Sequence, residues 1–168
     1  MIAAEESLAC VAYVYDSTPE GLLTAVFQAY ANHEDPQDIV RESAYQPRLG
    51  QSVRTVETDS ALAERVRRGL VRTTGNDGFS AMLHASLSDD PDAGTIVYRF
   101  VRYAMRPGKH RAAIGEITHP AVAPLIALDR SVMNERHLMQ QFLRFERLEG
   151  NVWFARCSPK ASVVPLLM

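Results

Sequence analysis

The sequence has few of the residues from which metal sites, cofactor sites and membrane anchors are built. Its two cysteines, Cys10 and Cys157, lie far apart in the chain, which argues against a cysteine knuckle or an iron–sulfur cluster. It has no Gly-Lys-Ser/Thr phosphate loop and no paired-glycine dinucleotide motif. No apolar run approaches the roughly 20 residues of a membrane-spanning helix, and the amino terminus lacks the pattern of a secretory signal. We therefore expect one cytoplasmic domain over residues 1–168, without a metal or a cofactor.

Basic residues are missing from the first 40 positions, which contain seven Asp or Glu and no Lys or Arg. The rest of the chain contains 18 basic and 13 acidic residues, and 16 of the 18 are arginine. Arginine favours planar, bidentate contacts to phosphate or carboxylate groups. The bias indicates an anion-binding protein, although a genome rich in G and C would produce it without any functional cause.

Hydrophobic periodicity predicts an α+β fold that is mostly helical. The apolar run 8–15 predicts a buried strand, and Ser17 and Glu20 form a capping box for a helix that ends near Asn32. Residues 52–58 alternate like a short edge strand. The polar residues between these segments predict a loop, with one helical turn near 37–42.

Four further helices are predicted from apolar spacing and turn residues. Asp59 or Ser60 caps the first, which runs to about Arg72, and Asn76-Asp77-Gly78 is predicted to be a turn. The others are expected over residues 79–87, 93–106 and 118–142.

The C-terminal region predicts a β-hairpin, with strands over 143–148 and 152–157 around the turn Glu149-Gly150-Asn151. We expect strand 8–15 to lie beside this hairpin in one small antiparallel sheet, packed by the helices. Residues 163–168 are apolar, and this indicates either a tail that docks on the fold or a chain that continues further.

Two predicted helices carry arginines at i, i+3 and i+7, which places each set on one face. No acid lies between residues 93 and 115, so nothing nearby in sequence neutralises the second set. A row of guanidinium groups with an aromatic side chain beside it suits a phosphate backbone with stacked bases. The alternatives are a solvated helix face, or ion pairs with the acidic N-terminal segment. The sets are Arg65, Arg68 and Arg72, and Arg99, Arg102 and Arg106; the proposed nucleic-acid site adds Tyr103, Lys109, Arg111 and Arg144 to the second set.

Glu135 and His137 are the candidate acid–base pair, since a carboxylate and an imidazole in one site can share proton transfer. On a helix, however, residues i and i+2 diverge by about 160°, so the two cannot face one ligand unaided. A carboxylate paired with an arginine in the core is the alternative reading of Glu135.

Several short segments, spread over nearly the whole chain, form a recognisable set. They are Tyr15-Asp16, EGLLTAVF at 20–27, Thr58-Asp59, ERH at 135–137, FLRF at 142–145, Gly150, Ala155-Arg156, Pro159 and PLL at 165–167. Together they resemble a bacterial family described as DNA metabolism proteins. The resemblance implies a role in DNA repair or processing and a radical S-adenosylmethionine partner protein. Related domains are fused to uracil-DNA-glycosylase-like domains, and no catalytic residue carries over. The family commonly has Gly where this chain has Ser17, and similar proteins continue past residue 168 with another helix and strand.

Three functions follow as hypotheses. The first is a nucleic-acid-binding accessory protein that uses the arginine-rich helix faces. The second is an interaction module that docks a radical S-adenosylmethionine enzyme through the acidic N-terminal region or the C-terminal tail. The third is an acid–base enzyme acting on a nucleobase, with Glu135 or His137 as the acid–base group and Arg144 as an anion clamp.

Overall fold

The computed structural model of the chain describes residues 10–147, 150 and 152–167. Helices account for 55% of the structure. Short 3-10 turns connect several elements. The helices are α1 (Pro19–Ala31), α2 (Ser60–Ser86), α3 (Ala93–Ala104) and α4 (Ala123–Phe142), and the strands are β1 (Val11–Tyr15), β2 (Asp38–Arg41), β3 (Ser52–Thr55), β4 (Glu146–Arg147) and β5 (Trp153–Phe154).

The main sheet is parallel, with three strands in the order β2-β1-β3. Tyr13 at the centre of β1 lies opposite Ile39 of β2 and Arg54 of β3, and every residue of β1 is buried. The predicted single antiparallel sheet is therefore wrong. Both edges of β1 are paired with parallel neighbours, so the C-terminal hairpin cannot join it, and β4 and β5 form a separate antiparallel pair. The predicted loop after α1 is also wrong in part, because it contains β2.

α1 starts directly after β1, at a cap that differs from the predicted one. The Thr18 hydroxyl, not that of Ser17, accepts the hydrogen bond from the amide of Gly21 at 2.9 Å. Asp16 holds Thr18 in turn, accepting from its amide at 3.0 Å and its hydroxyl at 2.6 Å. Ser17 takes the left-handed conformation, with φ of 72°. Glycine adopts that conformation without steric cost, whereas a serine there is strained.

α2 consists of two helical segments joined at a kink, where Gly75 has φ of 76° and ψ of 178°. Two helices were predicted here, but the predicted position of the break was wrong, because Asn76-Asp77-Gly78 is helical and the break lies at Gly75. Gly78 is needed for packing within the helix, since a Cβ there would lie 2.7 Å from the Cβ of Thr74.

α3 is seated closely against β2 at its first turn. The Thr95 hydroxyl accepts a hydrogen bond from the amide of Ile39 at 2.9 Å. Gly94 permits this approach, because a Cβ there would lie 2.4 Å from the Ile39 carbonyl oxygen. The side chains of Val97, Phe100 and Val101 are buried beyond this point. This packing turns the opposite side of α3 outward.

α4 begins at Ala123, five residues after the predicted start at Thr118. Pro120 disfavours helical geometry at the residue before it, so the segment up to α4 forms turns. In the middle of α4, Val132 packs with Ala161 and Val163 in a small second core, and this contact docks the C-terminal tail. None of the helices within the described residues is both long enough and apolar enough to cross a membrane.

Candidate nucleic-acid interface

Arg99 and Arg102 lie on the exposed side of α3, and Arg106 follows two residues after its end. We call these three residues the arginine strip: Arg99, Arg102 and Arg106. A cleft of about 510 Å³ opens over them. The cleft is built by three parts of the chain, since residues 35–37 before β2 form one wall and residues 119–121 before α4 form the other. The predicted spacing of the arginines therefore places all three along one concave surface.

Arg102, in the middle of the strip, is held by two groups. Its guanidinium lies 2.8 Å from the carboxylate of Asp35 and donates to the hydroxyl of Tyr98 at 3.2 Å. The hydrogen bond to Tyr98 is the main cause that raises the pKa of Arg102. Burial raises the pKa of Tyr98 to about 12, so its hydroxyl stays protonated. Arg102 is thus fixed in place and partly neutralised.

Tyr103, the predicted stacking residue, is buried, with 3% of its surface exposed. One face of its ring stacks on His119, with the ring centroids 3.7 Å apart and the planes 16° apart. Its hydroxyl donates to the carboxylate of Glu116. Both rings line the cleft, but the ring of Tyr103 is too buried to stack on a base.

His119 has a defined tautomer when it is neutral. Its Nδ1 accepts a hydrogen bond from the amide of Ala121 at 3.1 Å. The proton of the neutral ring is therefore on Nε2, which can donate to a ligand in the cleft. No sequence signal pointed to His119 beyond its being a histidine, because its partners come from distant or irregular segments.

Lys109 is part of a neutralised cluster at the end of α3. Its ammonium lies 2.9 Å from a carboxylate oxygen of Glu116 and 5.3 Å from the centre of the Tyr103 ring. The hydrogen bonds from Tyr103 and Lys109 lower the pKa of Glu116. The prediction that no acid neutralises this basic segment is therefore wrong for Lys109 and for Arg102, whose acids come from outside the segment.

Arg111 and Arg144 lie away from the cleft. Arg111 lines a separate hollow of about 430 Å³, with Arg72 and Asp77, beside the break in α2. Arg144 is exposed just after α4, next to the hairpin. Of the predicted nucleic-acid residues, the arginine strip and Tyr103 are brought together in the cleft. Lys109 contacts the Tyr103 ring but does not line the cleft. Arg111 and Arg144 lie elsewhere.

Glu135 and His137 do not converge. The Glu135 carboxylate accepts hydrogen bonds from the backbone amides of Lys160 and of Ala161, the latter at 3.1 Å, so it binds the tail. Within the described part of the chain it has no ion pair with an arginine. His137 is exposed, and its Nε2 lies 2.9 Å from the side-chain nitrogen of Gln141 one turn away. The two side chains thus have separate partners. Among the residues that the structure describes, no three or more His, Cys, Asp or Glu are grouped to hold a metal ion.

A family model described as a domain of unknown function (DUF4130) matches residues 91–168. The matched part begins just before α3 and contains the arginine strip, α4 and the hairpin. No curated protein and no solved structure matches the chain.

Proposed function

We propose that this chain is a nucleic-acid-binding accessory protein of DNA metabolism that holds a phosphate backbone along the arginine strip. The observation that carries the proposal is the alignment of Arg99, Arg102 and Arg106 on the floor of one cleft. The link to DNA metabolism comes from the resemblance of the sequence to that family.

The dimensions of the strip suit a nucleic-acid strand. Arg99 and Arg102 are three residues apart on α3, which is about 4.5 Å along the helix axis, and Arg106 lies two residues beyond the end of the helix. A strand places successive phosphates about 3.4 Å apart along a duplex axis, so the strip is long enough to contact two or more neighbouring phosphates. Arg99 and Arg106 are exposed, and His119 adds an Nε2–H donor on the wall. Asp35 takes up part of the charge of Arg102, which leaves the cleft positive overall.

The proposal is tested by fluorescence anisotropy with single-stranded and duplex DNA at two salt concentrations. We expect micromolar binding that weakens steeply with salt. The variant Arg99→Gln/Arg106→Gln should bind more weakly at both salts and lower the salt slope by about 1 to 2. It leaves the Arg102–Asp35 pair intact, so the fold is retained.

Arg65→Gln/Arg72→Gln is the matched control, because these arginines have the same i, i+7 spacing on the exposed side of α2. It should lose little affinity. Equal losses in the two variants would show that general surface charge, not the cleft, binds DNA. A parent protein that binds no DNA at low salt would overturn the proposal and favour docking of a radical S-adenosylmethionine enzyme instead.

A further inference from the structure

Four aromatic side chains around the C-terminal hairpin are exposed to solvent, and we call them the aromatic surface: Phe142, Phe145, Trp153 and Phe154. Their exposed fractions lie between 46% and 71%. A hollow of about 610 Å³ lies among Phe145, Trp153 and Phe154. Large apolar side chains grouped in this way on a surface mark a binding site.

The rings are gathered around one hollow at the hairpin. Trp153 pairs with Arg147 across the ladder, and Phe154 pairs with Glu146. Phe145, Trp153 and Phe154 all line the hollow and are exposed. Exposed rings around one concave surface can take up planar groups between them.

The charge of this segment favours a polyanion. Residues 143–160 contain four basic side chains, Arg144, Arg147, Arg156 and Lys160, against two acidic ones. Arg144 and Arg156 are exposed directly beside aromatic-surface residues. Aromatic rings interleaved with arginine are the pattern of proteins that stack bases while holding phosphates.

We infer that the aromatic surface stacks the unpaired bases of a single-stranded nucleic acid, and so makes this protein prefer single strands to duplex. The inference rests on the proposed function and extends it from the backbone to the bases. Bases within a duplex are already stacked on one another and offer no free face to Trp153 or to the three phenylalanines.

The aromatic surface and the cleft lie at opposite ends of α4. Residues 119–121 of the cleft wall precede the helix, and Phe142 is its last residue. A 20-residue helix is about 30 Å long. A strand of about nine stacked nucleotides covers that length, so one single strand can reach both surfaces.

Trp153 is the single tryptophan of the chain, so tryptophan emission reports on this surface alone. The probes are an oligothymidylate of about 15 nucleotides, a duplex of the same length, and inorganic polyphosphate. We expect the oligothymidylate to quench the emission of Trp153 in a saturable way. The duplex and polyphosphate should leave the emission nearly unchanged, although anisotropy detects duplex binding.

Removing the rings while keeping apolar side chains separates stacking from apolar docking. Phe145→Leu/Phe154→Leu should weaken oligothymidylate binding about ten-fold and leave duplex binding unchanged. Phe79→Leu removes a ring that packs partly buried on α2, away from the aromatic surface, and should change neither. Circular dichroism and the melting temperature establish that each variant is folded.

The outcomes separate this inference from the proposed function. DNA binding in the anisotropy titration without quenching of Trp153, or with full affinity in the double leucine variant, overturns the inference and leaves the proposed function standing. A Trp153 emission that shifts with protein concentration alone assigns the surface to a second copy of the chain and also overturns it. Absence of any DNA binding overturns the proposed function itself.

Discussion

The carboxylate of Asp35 lies 2.8 Å from the guanidinium of Arg102, so an acid of the N-terminal region neutralises the middle of the arginine strip. Asp35 is the residue that limits the positive charge of the cleft. Its side chain is 63% exposed, and an ion pair of this kind contributes at most about 1 kcal/mol to stability. Its main effect is therefore expected on anion binding and not on folding.

Asp35→Asn should accordingly bind single-stranded DNA about three- to ten-fold more tightly at low salt, because one more arginine becomes available to a phosphate. The gain should shrink as salt rises, and the melting temperature should stay within a few degrees. Asp89→Asn makes the same charge change at an exposed site outside the cleft. Equal gains in the two variants would contradict a specific role for Asp35.

Stability should depend on the ionisation of Glu116. Hydrogen bonds from Tyr103 and Lys109 lower its pKa below the ordinary value of 4.5. A carboxyl group whose pKa is lower in the folded state stabilises the fold above its unfolded pKa, and this stabilisation is lost as pH falls through the folded value. Glu116→Gln should therefore be less stable than the parent near neutral pH, and the difference should shrink below about pH 4.5.

Urea unfolding of both proteins at a series of pH values measures this difference. Glu57→Gln, an exposed change outside the cluster, serves as the control. A gap between Glu116→Gln and the parent that stays constant down to about pH 3 would rule out the lowered pKa as a source of stability.

Ser17→Gly should stabilise the protein. Ser17 has φ of 72°, a left-handed conformation that costs a residue with a Cβ more than it costs glycine. We expect a gain of about 1 kcal/mol in the free energy of unfolding, measured by urea denaturation. Ser52→Gly, in the edge strand β3, should be neutral or destabilising. A destabilised Ser17→Gly variant would mean that the serine side chain contributes contacts that outweigh its strain.

Glu135→Ala should release the C-terminal tail without affecting DNA binding through the cleft. The Glu135 carboxylate accepts from the amides of Lys160 and Ala161, and the loss of hydrogen bonds to a charged acceptor costs about 1 kcal/mol or more. Hydrogen exchange at these two amides should become faster. Glu146→Ala, on exposed β4, is the control. Unchanged exchange would show that other contacts, such as the buried Val163 and the Arg136–Leu166 hydrogen bond, are enough to anchor the tail.

The sequence was informative where the structural signal is local. The continuous apolar run containing β1, the aspartate that caps α2, and the arginine spacing on α3 all lie within single elements, and each led to a correct local element. β2 was missed because Asp38–Arg41 is short and polar at both ends, and its strand character depends on pairing with β1. Parallel pairing joins residues that are far apart in sequence, so no local pattern encodes it.

The cleft shows the same division. The positions of Arg99, Arg102 and Arg106 could be predicted, whereas Asp35 and His119 could not, since each comes from a turn that the fold brings to α3. Tyr103 follows Arg102 by one residue, which is a rotation of about 100° around a helix. That rotation turns the Tyr103 ring away from the exposed side of α3 and into the cleft wall. The prediction that Tyr103 stacks on a base relied on its position next to Arg102 in the sequence, which does not determine exposure.

The contact between Thr95 and Ile39 also determines how this chain can be divided. A fragment that starts at residue 91 would contain the arginine strip and the aromatic surface but would lack β2, on which α3 is seated. The side chains of Val97, Phe100 and Val101 would then face water, which favours aggregation over folding. Expression trials, domain transplants and fusions should therefore keep the N-terminal sheet and the C-terminal helices together, because α3 packs on β2.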